Sequence, residues 1–287
     1  MHRNGKGGSG AVPGQITPRE IICKSAINKT GIPGYDYCLN PYVGCAHACV
    51  YCYASFMCRF TGHREKWGEF VDIKVNLPGA LERQLSRRCK PSGTLILGTV
   101  TDAYQPLEAQ CRITRDSLEI LAAYQRLQVT ILTKSALVER DRDLLRKLWG
   151  CEVGFSLTTI DPEAARVLEP WASAPQRRLE AARRLVEAGI AVWVFIAPLL
   201  PGISDTDENF GALLMAITEA GVREILVDPL NPYPAVVHRL KETYQRHFPQ
   251  ALPALEAYLA HQPAYVDNIK ARIKHIGART GCRPSFV

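Results

Sequence analysis

The chain has 287 residues, 47% of them apolar and 22% charged, which is ordinary globular usage and predicts a sizeable core. Its formal net charge of +7 suits a polyanionic partner such as nucleic acid. Ten cysteines in a chain this long, with no apolar signal region at the start, exclude a small secreted disulfide scaffold, and the longest apolar stretch, Ile190 to Leu200, is too short to span a bilayer. A soluble protein in a reducing, cytoplasmic setting, with no membrane partner, is the expectation.

In chain order, residues 1–20 are Gly-rich, open with His2, Arg3 and Lys6, and read as a flexible N-terminal tail. A strand is expected around Tyr37–Tyr42. From Thr94 onward, short β-rich runs alternate with helical patterns, the sign of βα units and a parallel sheet. The strands are Thr94–Gly98, Val129–Thr133, Val153–Leu157, Ala191–Ala197 and Glu224–Asp228. Between them lie helices Arg115–Arg126, Val138–Leu148, Arg177–Ala188 and Glu208–Ala220, with apolar residues at helical spacing. The last two stop at Gly189 and Gly221, good C-terminal caps. Two further helical patterns, Val236–Phe248 and Leu252–Ile276, give residues 235–287 as a helical extension packed on a core of residues 21–234. The basic runs Arg83 to Lys90 and Arg177 to Arg184 read as solvated helix faces.

The run Gly44-Cys45-Ala46-His47-Ala48-Cys49-Val50-Tyr51-Cys52-Tyr53 constrains the chemistry most tightly. Its C-x3-C-x2-C spacing offers three thiolates on one loop, and thiolates ligate iron-sulfur clusters. A four-iron cluster held by three cysteines leaves one iron open to another molecule. A zinc site with His47 or Cys58 as fourth ligand is the alternative, although no second C-x2-C follows. Cys23, Cys38, Cys89, Cys151 and Cys282 have no mutual spacing that defines a site.

In barrels of parallel strands the chemistry sits at the strands' carboxyl ends. Those ends are polar here, with Thr101-Asp102 after the second strand, Thr133-Lys134 after the third, and Ser156 in the fourth.

With its cysteine spacing and an aromatic before the third cysteine, the chain resembles the radical S-adenosylmethionine (SAM) superfamily. Cys45 through Tyr53, Thr101-Asp102, Thr133-Lys134 and Phe155-Ser156 resemble the spore photoproduct lyase group within it. The similarity continues through Leu168-Glu169-Pro170 and Arg178-Leu179-Glu180-Ala181-Ala182 to Phe195-Ile196-Ala197-Pro198. The resemblance implies an α/β fold, a partial (β/α)6 TIM-like barrel with the cluster loop after its first strand. It further implies a 4Fe-4S cluster on Cys45, Cys49 and Cys52, and reductive cleavage of SAM to a 5′-deoxyadenosyl radical. Thr101 and Asp102 are the expected acceptors for the SAM ammonium, Lys134 the partner of its carboxylate, and Ser156 that of a ribose hydroxyl. Tyr51 and Tyr53 match a tyrosine pair proposed to relay hydrogen.

The implied partners are SAM, a flavodoxin- or ferredoxin-like electron donor, and DNA or another nucleic acid. Thr99 stands where the lyase has its hydrogen-donating cysteine, and a threonine O–H is too strong a bond to replace a thiol. Cys58 and Cys111 are the nearest other thiols. Lesion repair and radical modification of a peptide, protein or small molecule are therefore both carried forward. The reading from another class is a non-catalytic iron-sulfur electron-transfer or zinc-binding module.

Overall fold

The computed structural model describes residues 16–280 and 282–287. In chain order its strands are β1 (Thr17–Ile21), β2 (Ile27–Lys29), β3 (Tyr37–Leu39), β4 (Tyr42–Val43), β5 (Phe70–Lys74), β6 (Gly93–Leu97), β7 (Leu127–Thr133), β8 (Glu152–Ser156), β9 (Ala191–Leu199), β10 (Glu224–Pro229) and β11 (Ser285–Phe286). The helices longer than one turn are α1 (Leu77–Leu85), α2 (Ile113–Tyr124), α3 (Pro162–Leu168), α4 (Pro175–Glu187), α5 (Asp207–Glu219), α6 (Pro234–His247), α7 (Leu252–Ala260) and α8 (Gln262–Thr280).

Strands β3, β6, β7, β8, β9 and β10 pair successively and in parallel. Their apolar runs are buried on both faces, as a parallel sheet covered by helices requires. Val129, Ile131, Val153, Phe155, Val194, Ile196 and Val227 have no more than trace exposure. Among the described residues, the edge strands β2 and β11 do not pair with each other, so the sheet forms a partial barrel. Helices α4 and α5 end as expected before Gly189 (φ 77°) and Gly221 (φ 81°), left-handed positions that glycine tolerates best.

Five expectations are corrected. Residues 1–15 of the expected tail lie outside the described residues, but Thr17–Ile21 forms β1, paired in parallel with β5. The strand expected over Tyr37–Tyr42 is split: β3 belongs to the barrel, whereas β4 pairs antiparallel with β5 in a separate three-stranded sheet. Pro41 brings no N–H to a ladder, and the Asn40 side chain turns aside to accept hydrogen bonds from the Thr99 and Val100 amides at 2.9 and 3.3 Å. The helix expected over Val138–Leu148 is a 3-10 segment (Ala136–Asp141) followed by a single α turn (Arg142–Leu145). There Asp141 is pulled inward as the buried partner of Arg115 and Arg140. The last helical pattern breaks at His261 into α7 and α8, because Pro263 cannot continue a helix through its own first turns.

The C-terminal segment is not wholly helical, since Ser285–Phe286 adds β11 in parallel beside β10. Helices α6 and α7 bury Val236, Leu240, Tyr244, Leu255 and Tyr258 in one cluster with Cys49 and Tyr51 of the cysteine loop. No helix among the described residues is long and apolar enough to cross a membrane.

Candidate active site

The cysteine loop leaves β4 at Gly44 and crosses the carboxyl ends of the barrel strands. Gly44 has φ 84°, and an added Cβ would collide with the Phe70 carbonyl, so this turn requires glycine. The Gly44→Ala substitution is therefore expected to cost at least ~1 kcal/mol, read as a lower urea midpoint, and to reduce the iron retained per chain. Wild-type values of both would show that the turn tolerates a side chain.

Neighbouring segments hold the rest of the loop. Gln105 accepts from the Ala46 amide at 2.7 Å, Thr101 Oγ1 donates to the Gly44 carbonyl at 2.5 Å, and the Val50 amide donates to the Leu168 carbonyl at 2.9 Å. From α6, Arg239 donates Nε to the Val50 carbonyl and Nη2 to the Cys52 carbonyl, both at 2.9 Å. A residue beyond the last long barrel strand thus fixes the backbone of the third cysteine.

Cys45, Cys49 and Cys52 line one pocket with Thr99, Thr101, Asp102, Lys134, Ser156, Tyr51 and Tyr53, so the structure brings every expected site residue together. Apolar Leu132, Phe195, Ala197, Pro198 and Leu230 complete its walls. Burial, reinforced by Glu169 and the neighbouring cysteines, pushes the Cys49 thiol well above its usual range. Burial, then Cys45, pushes Cys52 up to about 11. Thiols in this state keep their protons until a metal displaces them.

Proximity does not make the expected residues equivalent. Both oxygens of Asp102 are already engaged: Oδ1 accepts from Tyr104 N at 2.8 Å and Thr133 Oγ1 at 2.7 Å, and Oδ2 accepts from Lys134 N at 2.7 Å. His47 Nδ1 lies 3.3 Å from the same Oδ2. Burial opposes ionisation of both partners, yet their mutual attraction outweighs it, holding Asp102 down at about 2 and His47 up at about 10. Thr101 likewise spends its hydroxyl on Gly44 and accepts from Gln105. These two residues shape the pocket wall.

Among the described residues, the groups that line the pocket without a hydrogen-bonded side-chain partner include Lys134 Nζ, the Ser156 hydroxyl, the Asp228 carboxylate and the Asn231 amide. Lys134 Nζ lies 5.5 Å from the centroid of the Tyr51 ring, within cation–π range. Asp228 and Asn231, at the end of β10, were not singled out from the sequence. Burial raises the Asp228 carboxyl above its usual range. Its position at the carboxyl end of a predicted strand was the available signal.

The two tyrosines differ. Tyr53 is half exposed and donates to the Thr99 carbonyl. Tyr51 is buried, its hydroxyl bonded to Glu169 and 2.9 Å from Thr158 Oγ1. Glu169 in turn pairs with Arg178, which is 1% exposed and also donates to the Ser156 carbonyl at 2.6 Å. Arg178 falls within a run expected to be a solvated basic face, and the burial of this one residue corrects that expectation. Thr99 faces the pocket, with Oγ1 accepting from Asn40 at 2.9 Å.

A sulfur-rich cofactor fits this arrangement on two counts. Three thiols, the donor set of such a cofactor, converge on one pocket, and the side chains of Leu132, Phe195, Pro198 and Leu230 give that pocket apolar walls.

Comparison with known proteins agrees. The sequence profile of the Radical SAM superfamily matches residues 39–214. An uncharacterised protein of Methanocaldococcus jannaschii is 36% identical, the match covering 67% of this chain and 71% of the relative. An uncharacterised protein of Mycobacterium tuberculosis is 32% identical, with coverage of 80% and 74%. Among solved structures, spore photoproduct lyase with bound AdoMet and dinucleoside spore photoproduct aligns with a TM-score of 0.63 at 15% identity, covering 82% of this chain and 72% of that one. Streptococcus suis SuiB bound to the precursor peptide SuiA aligns with a TM-score of 0.52 at 15% identity, covering 87% and 47%. At such identities the structural likeness is one of fold.

Proposed function

This chain belongs to the radical SAM superfamily, and we propose that it uses a 4Fe-4S cluster on Cys45, Cys49 and Cys52 to initiate hydrogen abstraction from a nucleic-acid substrate. The cluster and SAM are the superfamily's cofactors; when bound, they supply reductive cleavage of a sulfur–carbon bond and release of a 5′-deoxyadenosyl radical. The observation that carries the proposal is the convergence of three thiols on a pocket at the carboxyl ends of parallel strands.

The chain's own residues divide the remaining work. Lys134 offers a fixed positive charge to the SAM carboxylate, and Ser156 a hydroxyl to a ribose. Asp228 and Asn231, whose side chains have no hydrogen-bond partner among the described residues, are suited to accept hydrogen bonds from the ammonium or from substrate. Asp102 and Thr101 act one step back, holding the Lys134 backbone and the start of the cysteine loop. The apolar walls exclude water, which protects a reactive intermediate from side reactions.

A nucleic-acid substrate is supported by the net charge of +7 and by the fold shared with a lyase crystallised with a dinucleoside lesion. Thr99 favours a second reading, radical modification of a peptide, because no thiol stands at that pocket position to return hydrogen. SuiB, crystallised with its precursor peptide, shares the fold.

Three measurements test the proposal. The anaerobically reconstituted protein, reduced in the presence of SAM, is expected to form 5′-deoxyadenosine, and an intact cluster without that product would overturn the enzymatic reading. Single-stranded or lesion-bearing DNA is expected to retard the protein, with affinity falling steeply as salt rises. Deuterium passing to deoxyadenosine from a labelled peptide but from no labelled DNA would transfer the assignment to the second reading.

A further inference from the structure

We propose that Phe56, Arg59 and Phe60, on the segment that follows the cysteine loop, form a stacking platform that receives a single-stranded nucleic acid beside the pocket. The inference deepens the nucleic-acid reading of the site and rests on it.

The platform begins at the pocket wall. Tyr53 lines the pocket with Cys52 and is 48% exposed, so it stands at the rim. From there the chain turns as a 3-10 segment (Tyr53–Met57) and a single α turn (Cys58–Thr61), closed by Gly62 at φ 69°. Tyr53, Phe56 and Phe60 follow one another by three and four residues, the spacing that makes neighbours on a helical surface. The Phe56 ring accordingly lies near-parallel to that of Tyr53, with centroids 6.5 Å apart, and the Phe60 ring meets Phe56 edge-on at 6.4 Å. Phe56 remains 42% exposed and Phe60 74%. Contiguous exposed apolar rings mark an interaction surface more often than scattered ones do.

The charges beside the rings identify the occupant. Arg59, Arg64 and Lys66 are exposed, and none of them is in an ion pair among the described residues. The carboxylates of the same segment are engaged, Glu65 at 3.2 Å from His63 Nδ1 and Glu69 accepting from the Lys66 amide at 3.1 Å. Rings interleaved with unpaired cations suit a strand whose bases stack on the aromatics while its phosphates meet the cations. Paired bases would hide their faces, which makes a single strand the occupant. The platform is also held before the strand arrives, because Arg239 donates Nη2 to the Cys52 carbonyl at 2.9 Å and to Ser55 Oγ at 3.2 Å. Such preorganisation lowers the cost of binding.

The test titrates the full chain, reconstituted anaerobically, with a labelled oligothymidylate, its oligouridylate counterpart, and an abasic strand that keeps the phosphates without the bases. The double variant Phe56→Ala, Phe60→Ala is expected to retain wild-type iron and to bind the base-bearing strands at least about ten-fold more weakly, at unchanged salt dependence. Arg59→Ala should instead lower the slope of log affinity against log salt by about 0.7. The abasic strand should bind wild type and double variant alike. Binding of either base-bearing strand supports the platform, and the tighter one identifies the sugar.

Equal affinity of the wild type for abasic and base-bearing strands overturns the proposal. If the double variant does not fold, Phe60→Leu keeps apolar bulk without the ring, and the abasic comparison needs no variant. Wild-type strand binding by the double variant, with deuterium still passing from labelled DNA to deoxyadenosine, sinks the platform and leaves the substrate reading standing. A wild type that binds no strand and takes deuterium only from a labelled peptide sinks both. Unchanged strand binding with slower reduction by a flavodoxin makes the rings a protein-docking surface and overturns the proposal as well.

Discussion

Cys49→Ala is expected to leave a folded protein that retains no stable cluster and forms 5′-deoxyadenosine only at background level. Cys49 is 7% exposed and packs with Tyr51, Leu168, Leu200 and residues of α6. Alanine leaves a gap the size of one sulfur, which costs on the order of 1 kcal/mol, too little to unfold a domain of ordinary stability. The effect on chemistry is far larger. With two thiolates on the loop, the cluster loses the ligand set that holds it while leaving one iron open. Iron and sulfide analysis, the cluster's visible absorption and chromatographic detection of 5′-deoxyadenosine read the result. Cys111→Ala is the matched control, since that thiol packs against the hydrophobic core away from the pocket. If the Cys49 variant cleaved SAM at the wild-type rate, the assignment of the three ligands would be wrong.

The largest expected effect on stability comes from Glu169→Ala. Glu169 and Arg178 are 2% and 1% exposed at their side chains, and removing one partner of such a pair leaves an uncompensated buried charge, at a cost of about 3–5 kcal/mol. The carboxylate also accepts from Tyr51, and the guanidinium also donates to the Ser156 carbonyl at 2.6 Å and the Ser173 carbonyl at 2.8 Å. The substitution therefore loosens the residue beside Cys52 and a residue of the pocket wall together. Urea unfolding should show a much lower midpoint at unchanged slope. Glu169→Gln, which keeps the shape and the acceptor, should lose less.

The pH dependence has a definite sign. Burial opposes ionisation of Glu169, but Arg178 and then Lys134 outweigh it and hold the carboxyl below its usual value of 4.5. The stability advantage of wild type over Glu169→Gln should accordingly be present above pH 4.5 and lost as pH falls through the folded-state value. A cost below about 1 kcal/mol for Glu169→Ala would be that of an exposed pair and would contradict the buried placement.

Local patterns made much of the barrel legible. Continuous apolar strands and helices closed by Gly189 or Gly221 announce themselves within a few residues, because burial on both faces and a left-handed cap leave compositional marks. Strand β5 escaped notice although Phe70-Val71-Asp72-Ile73-Lys74 forms the centre of the small sheet. Asp72 interrupts its apolar pattern, and the reason for an Asp there is long-range: it is the partner of Arg19 and His63.

The candidate site divides in the same way. Spacing alone determined the three thiols, since ligands on one short loop are close whatever surrounds them. The strand-end positions of Thr101, Asp102, Lys134 and Ser156 followed from the βα order. Which of these side chains remain free was decided only by tertiary contacts. Asp102 is consumed by groups up to 55 positions away along the chain, on His47, Thr133 and Lys134, while Asp228, Asn231 and Trp67 enter the pocket from segments with no local motif. Hydrogen-bond satisfaction is a property of the assembled molecule. The sequence by itself therefore determined which thiols stand together on one loop, and the fold decided which polar side chains join them in one pocket and which are spent on internal contacts.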